Sequence, residues 1–330
     1  MFSGHAESHP RLVGDIGGTH ARFGLITAPG AAISQIVTLR CAEHAGPLEA
    51  IRSYLAAQGG IQPRHAAIGI ANPITGDELR LTNNPWQFSI RALREALGLG
   101  ELVFVNDFTA LALSLPHLDA AGLQQIGPGQ ALRGAAIGVI GPGTGLGVSG
   151  LVPVKGQYAP IGGEGGHVSL APYTDEEFAV TALLLREYGH VSAERVLSGP
   201  GLLTLHRALA RVRGLAEPQL DGATITRQAL DNSNALCADT LAMFCALLGS
   251  TAGNLALTLG AQGGVFIGGG IVPQLGNYFA RSDFRARFEA KGRFATYLAT
   301  IPTWVITAGN PALTGAAVAL QQALNENPPT

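Results

Sequence analysis

The elements predicted along this 330-residue chain are those of an α/β protein built from two similar halves, and three observations carry that reading. Between residues 12 and 115, short apolar runs and helix-spaced segments alternate in the order β-β-β-α-β-α-β-α, which argues for a layered sheet with helices on it. After Pro116 the opening arrangement of strand, glycine turn and strand starts again. The 45 glycines also gather at strand ends, where a backbone needs positive φ or a ligand or second backbone must come close.

Each element follows from local chemistry. Leu12–Ile16 and Ala21–Thr27 are apolar runs divided by Gly17-Gly18, a hairpin signal, and Ala32–Leu39 supplies a third strand. The first helix takes Pro47 in its first turn, places Leu48, Ile51 and Leu55 on one face and ends at Gly59. Ala66–Ala71 is a short buried strand. A second helix starts at Ser89 as N-cap, carries Ile90, Leu93 and Leu97 and stops at Gly98. Leu102–Val105 leads through Asn106-Asp107 into a helix over Phe108–Leu115. In the second half, Ala135–Ile140 and Val148–Val154 flank a glycine loop, Gly141–Gly147. Helices follow at Asp175–Tyr188, Leu202–Arg213 and Ala235–Leu259, where Gly249 and Gly253 point to close packing. Strand Val265–Ile267 ends in three glycines, strand Thr303–Thr307 follows, and the last helix is Ala312–Leu324. The expected domains are 10–116 with 309–328, the final helix crossing back, and 117–308.

Composition excludes several classes. Apolar residues make up 47% of the chain and mean hydropathy is +0.25, which excludes wholesale disorder. A net charge of −2 gives no electrostatic footprint for nucleic acid or an anionic membrane. No uninterrupted apolar run has the length of a membrane span, and Met1–Arg11 holds no signal-peptide stretch. Three cysteines, Cys41, Cys237 and Cys245, form neither a disulfide framework nor a zinc pattern. A soluble cytoplasmic protein is expected.

Three glycine segments carry chemistry. In Gly14-Asp15-Ile16-Gly17-Gly18-Thr19 a carboxylate at a strand end precedes a turn of exposed N–H groups, which suits a phosphate and its metal; the plainer alternative is a hairpin capped by Asp15. Gly141-Pro142-Gly143-Thr144-Gly145-Leu146-Gly147 can wrap an anion in main-chain donors. It is neither a Walker loop nor a dinucleotide turn, since a strand follows it. Gly268-Gly269-Gly270 leaves bare backbone on which a flat ring or ribose can lie.

Together these segments resemble the superfamily of sugar kinases, heat-shock ATPases and actin, and within it the bacterial glucokinases. The resemblance runs in order through Leu12–Thr19, Phe104–Ala110, Gly162–Val168, Ser192–Gly199 and Gly253–Pro273, nearly the whole chain. It implies a two-domain actin-like ATPase (ribonuclease H-like) fold with the active site in the interdomain cleft, and ATP-dependent phosphorylation of glucose to glucose 6-phosphate. By the same resemblance Asp107 is the general base, and Asn106, Glu164, His167 and Glu194 hold sugar hydroxyls. Gly14 to Thr19, Gly143-Thr144-Gly145 and Gly268 to Gly270 take ATP. Asp15 lies near Mg²⁺, directly or through water, and Asn83 and Asn84 line the sugar site. A homodimer is expected.

From the residues alone, Asn106-Asp107 also reads as an N-cap, Glu164 and His167 as an incomplete metal pair, and Glu194 as a solvated helix charge beside Arg195. The cysteine-rich zinc motif of related repressor-kinase proteins is missing after His167, so no structural zinc is expected. A sugar-sensing regulator would need an added helix-turn-helix, for which the segment before Leu12 is too short. A polymerising or chaperone ATPase would not need the carboxylates of the sugar pocket. Glucose is not ranked against mannose, glucosamine or fructose, nor ATP against ADP or polyphosphate.

Overall fold

A computed structural model describes residues 8–81, 84–217 and 219–326; Asn83 lies outside them. The chain divides into two units, Met1–Leu118 with Ala308–Thr330, and Asp119–Thr307.

In unit 1, β1 (Arg11–Ile16), β2 (His20–Ile26) and β3 (Ser34–Arg40) form an antiparallel meander, followed by helix α1 (Pro47–Ala57). Strand β4 (His65–Ile70) and a small hairpin, β5 (Glu78–Arg80) and β6 (Gln87–Ser89), precede α2 (Ile90–Ala96), β7 (Glu101–Asn106) and α3 (Asp107–Ser114). The sheet order is β3-β2-β1-β4-β7, with β4 parallel to β1 and β7 parallel to β4. Alternation sends Leu12, Ile16, Phe23 and Ile68 to one face against Ile51 and Tyr54 of α1. Val13 and Ala67 go to the other, against Leu313, Ala316 and Leu320 of the last helix, α12 (Pro311–Glu326). A Cβ at Gly315 would run into the Ala110 carbonyl oxygen, so α12 meets α3 at a distance that only glycine permits.

Unit 2 repeats the plan. Its strands are β8 (Leu123–Ile126), β9 (Ile137–Pro142), β10 (Leu146–Val154), β11 (Gln157–Ile161), β12 (Val265–Ile267) and β13 (Thr303–Ile306). They run in the order β11-β10-β9-β12-β13-β8, with β12 parallel to β9, β13 parallel to β12 and β8 antiparallel at the edge. The helices are α4 (Asp175–Tyr188), α5 (Gly199–Val212), α6 (Gly222–Leu230), α7 (Ala235–Leu259), and the short α8 (Val272–Leu275), α9 (Asn277–Arg281), α10 (Phe284–Glu289) and α11 (Ala295–Thr300). Helix α7 is the spine of the core, with Phe244 and Leu248 beside Phe284 and Phe288. A Cβ at Gly249 or Gly253 would strike the carbonyl oxygen of Phe284 or Phe288, which accounts for both glycines.

Two expectations change. The glycine loop over 141–147 is shorter than its composition suggests, because Gly141, Pro142, Leu146 and Gly147 pair in the ladder and three residues make the turn. Although α7 contains polar residues, its 25 residues are long and apolar enough to cross a membrane, but the window that qualifies is 72% buried within the protein.

Candidate active site

In unit 1, the register of three parallel strands assembles the candidate residues. Asp15 on β1 pairs with Gly69 on β4, and Gly69 with Val105 on β7, so Asp15 and Asn106-Asp107 flank a glycine at the carboxyl ends of the strands. In open α/β sheets that edge is where ligands bind. A Cβ at Gly69 would lie 3.4 Å from the Ala110 Cβ and 3.9 Å from the Asp107 Cα, so a larger side chain there would crowd the start of α3.

Asn106 is the N-cap of α3, its Oδ1 accepting from Phe108 N at 3.0 Å and Thr109 N at 3.2 Å. Asp107 Oδ1 accepts from Phe108 N at 2.9 Å. Capping thus uses the oxygen of the Asn106 amide and turns its NH₂ toward the donor role. Asp15 is partly buried and 3.4 Å from the Arg22 guanidinium. Burial pushes its carboxyl up from the ordinary range, with Arg22 pulling the other way. In the following turn Gly17 N donates to His20 O and Cys41 N to Thr19 O, both at 2.9 Å, with Gly18 partly exposed and Thr19 exposed. Ile16 is fully buried, and the missing Cβ of Gly14 makes room for Phe23 and Ile68; what these two offer a ligand is main chain.

In unit 2 the matching turn is Gly143-Thr144-Gly145, closed by Gly143 N donating to Gly145 O at 2.8 Å. Thr144 is exposed and Gly145 partly exposed. The Gly143 carbonyl accepts from Gly199 N at 2.8 Å, which fixes the turn to the first residue of α5. The triple glycine lies beside it. Gly268 N donates to Ile140 O at 2.8 Å, Gly269 has φ +77°, and a Cβ there would strike the Pro142 carbonyl. Gly270 opens onto free space.

Three further candidates converge on the same turn. Glu194 Oε2 accepts from Leu146 N at 2.8 Å, and its Oε1 is 3.9 Å from His167 Nδ1. The Glu194 amide donates to Gly166 O at 2.9 Å, and His167 N to Glu164 O at 3.0 Å. Glu194 is therefore neither a solvated charge nor a helix residue: it ties the Gly143–Gly145 turn to the Glu164–His167 segment. Glu164 and His167 are exposed. Asn84 is buried, its Oδ1 accepting from Trp86 N at 3.0 Å.

Sequence reasoning missed a cavity of about 750 Å³ in unit 2, lined by Gly199 and Leu202 of α5, Ala223 and Thr226 of α6, and Ile271 and Gln274 after the triple glycine. Its size suits a small ligand, and Gly199 links it directly to Gly143. The only signal in the sequence was Ser198-Gly199-Pro200-Gly201, a capped helix start whose partners lie far along the chain. Among the described residues, no group of three or more His, Cys, Asp or Glu side chains assembles as a metal site.

The chain as a whole is similar to known proteins. The family model described as Glucokinase matches residues 12–323. A glucokinase of Aromatoleum aromaticum is 56% identical over 325 residues, 98% of each chain. One of Chromobacterium violaceum is 52% identical over 97% of this chain and 92% of its own. The crystal structure of a glucokinase from an Antarctic psychrotroph superposes with a TM-score of 0.88 at 40% identity, covering 95% of this chain and 99% of that one. Identity this high over almost the entire length, on the actin-like fold that the two repeated sheets build, makes the chain a member of the glucokinase family, a sugar kinase that phosphorylates glucose.

Proposed function

We propose that this glucokinase transfers the γ-phosphoryl group of ATP to the 6-hydroxyl of glucose with Asp107 as general base. The observation that carries the assignment is the strand register that sets Asp15 and Asp107 at the carboxyl ends of β1 and β7, on either side of Gly69. The positive end of α3 stabilises negative charge at Asp107, so its carboxylate can accept the hydroxyl proton while the oxygen's electron pair attacks phosphorus and the bond to ADP breaks. Asn106, its Oδ1 committed to the cap, donates through Nδ2 to a neighbouring sugar hydroxyl. Glu194 and Glu164 accept from hydroxyls, and His167 completes the set.

For ATP, the amides of Gly18-Thr19 and Thr144-Gly145 supply phosphate donors. The cavity beside Gly199 and Ile271 supports a place for the base, and Gly268 to Gly270 a surface for the ribose. A Mg²⁺ that travels with a nucleotide takes one or two carboxylates plus phosphate oxygens, and the single carboxylate of Asp15 fits that donor set. When bound, the ion neutralises charge on the transferring phosphoryl group; Asp15 orients it, directly or through water. A homodimer in the cytoplasm belongs to the same proposal. The solvent-facing Phe178 and Leu185 of α4, 56% and 51% exposed, support self-association, which light scattering would measure.

A coupled kinase assay tests the base. Asp107→Ala should lower kcat by ~10²–10⁴ while calorimetry still detects glucose; a folded variant with unchanged kcat would reduce Asp107 to a helix residue. The same assay over mannose, glucosamine and fructose, and over ADP and polyphosphate, fixes the range of acceptor and donor.

A further inference from the structure

We propose that unit 1 carries a second binding pocket, for a small organic anion with an apolar body, at the end of its sheet away from Asp15 and Asp107. A cavity of about 680 Å³ opens there, bounded by the start of β1, the turn after α3 and one side of α12. Strand β1 spans about 13 Å from Arg11 to Asp15 at the usual rise, so the pocket is separate from the catalytic edge.

Arg11 makes the case. It lines the cavity yet is only 9% exposed. Its bonds go to neutral groups: Nε to Ser8 O at 3.1 Å, Nη1 to Gln321 Oε1 at 2.8 Å and Nη2 to Ser8 Oγ at 3.2 Å. Among the described residues no carboxylate forms an ion pair with it. Arginines buried this far are almost always paired, because an uncompensated charge is costly in the interior. A guanidinium carries five N–H donors, and the bonds to Ser8 and Gln321 leave part of that fork for an anion.

The surroundings match. Among the described residues no Asp or Glu lines the cavity, whereas His9 and His117 do, and Ile33 and Leu313 form an apolar wall. A planar fork beside an apolar wall fits a carboxylate on a hydrophobic body, the bidentate arrangement that arginine favours.

Benzoate is a direct probe, titrated by calorimetry into the full chain with glucose at saturation so that the sugar site is filled. The expected result is one saturable site, weakened at least tenfold in Arg11→Met and likewise in Ala317→Trp, which fills the cavity and leaves Arg11 in place. Ala317→Trp carries the test alone if Arg11→Met does not fold. Neutral benzamide and inorganic phosphate should each bind at least tenfold more weakly than benzoate. The proposal is overturned by the absence of saturation, by unchanged binding in the folded variants, or by benzamide or phosphate binding as well as benzoate.

Discussion

Substituting alanine for Gly145 should damage sugar use while leaving the backbone fold in place. The backbone at Gly145 has no positive φ to lose, so the effect rests on what a Cβ would meet. That atom would fall well inside contact distance of Glu194 Oε2, the oxygen that accepts from Leu146 N at 2.8 Å. A carboxylate at the end of a flexible side chain can swing away without moving the backbone, and the stability lost is that of its bond from Leu146 N. Swinging away takes it from Leu146 and from any sugar hydroxyl it serves. A hydrogen bond to a charged group contributes about 1.5–3 kcal/mol, which corresponds to a loss of roughly 10- to 150-fold in kcat/KM. The assay is coupled glucose phosphorylation at saturating ATP, with Tm followed in parallel. Glu194→Gln should add much less on the Gly145→Ala background than on the native one, since both changes act through one carboxylate. Native kinetics for glucose in folded Gly145→Ala would refute the placement of Glu194 at the sugar. A rise in the KM for ATP alone would instead assign Gly145 to the phosphates.

Three further outcomes are expected. Asp15→Asn should lower kcat and shift the Mg²⁺ titration to higher concentration with glucose affinity retained; an unchanged titration would move Asp15 away from the ion. Gly315→Ala should destabilise the protein by about 1–3 kcal/mol through overpacking, read as a fall in the denaturant midpoint, because its Cβ would meet the Ala110 carbonyl on the neighbouring helix. His206 is fully buried against Thr240, and burial holds its imidazole below the ordinary value. The unfolded chain therefore binds a proton first, and stability should drop as pH falls below about 6.5, with a shallower drop in His206→Gln; equal slopes would exclude the residue as the source.

What the sequence made legible was whatever local chemistry determines. Helices α4 and α7 match their expected limits because each has an N-cap side chain, Thr174 and Asn234, and a glycine with positive φ after its last residue, Gly189 and Gly260. Segments with little periodicity were not readable: β8 and β11, the three-residue strands β5 and β6, and the run of short helices α8 to α11. Glycine composition misled in one place, since Gly141 and Gly147 look like loop residues and are ladder residues. For the site, the capping at Asn106 could be read directly. The bond from Glu194 to Leu146 joins residues 48 apart, and the cavity at Gly199, Ala223 and Ile271 needs three distant segments. No spacing rule reaches contacts of that kind.

Register shows why the two halves could not have been assigned equal roles from their glycine turns. Counting back from each turn, Asp15 of unit 1 corresponds to Gly141 of unit 2, and the four-residue turn Gly17–His20 to the three-residue turn Gly143–Gly145. Asp15 pairs with Gly69, and extending the β9–β12 register by one residue sets Gly141 opposite Gly268. The same step along β7 and β13 aligns Asn106-Asp107 with Thr307-Ala308. The repeated frame keeps its glycines at the strand edge in both units, yet both carboxylates occur in only one. Where unit 1 has Asp15 and Asn106-Asp107, the second sheet has Gly141 and runs into Thr307-Ala308, none of them a carboxylate, and a cavity lined by Ile271 follows its triple glycine. A carboxylate at Gly141 would set a negative charge beside Gly268, against the phosphates that the neutral turn is suited to hold, whereas at Asp15 the same charge suits a cation. The repeated frame thus places carboxylates at strand ends of unit 1 where the matching positions of the second sheet hold none, which is the basis for proposing metal and proton transfer in the first and nucleotide contact in the second.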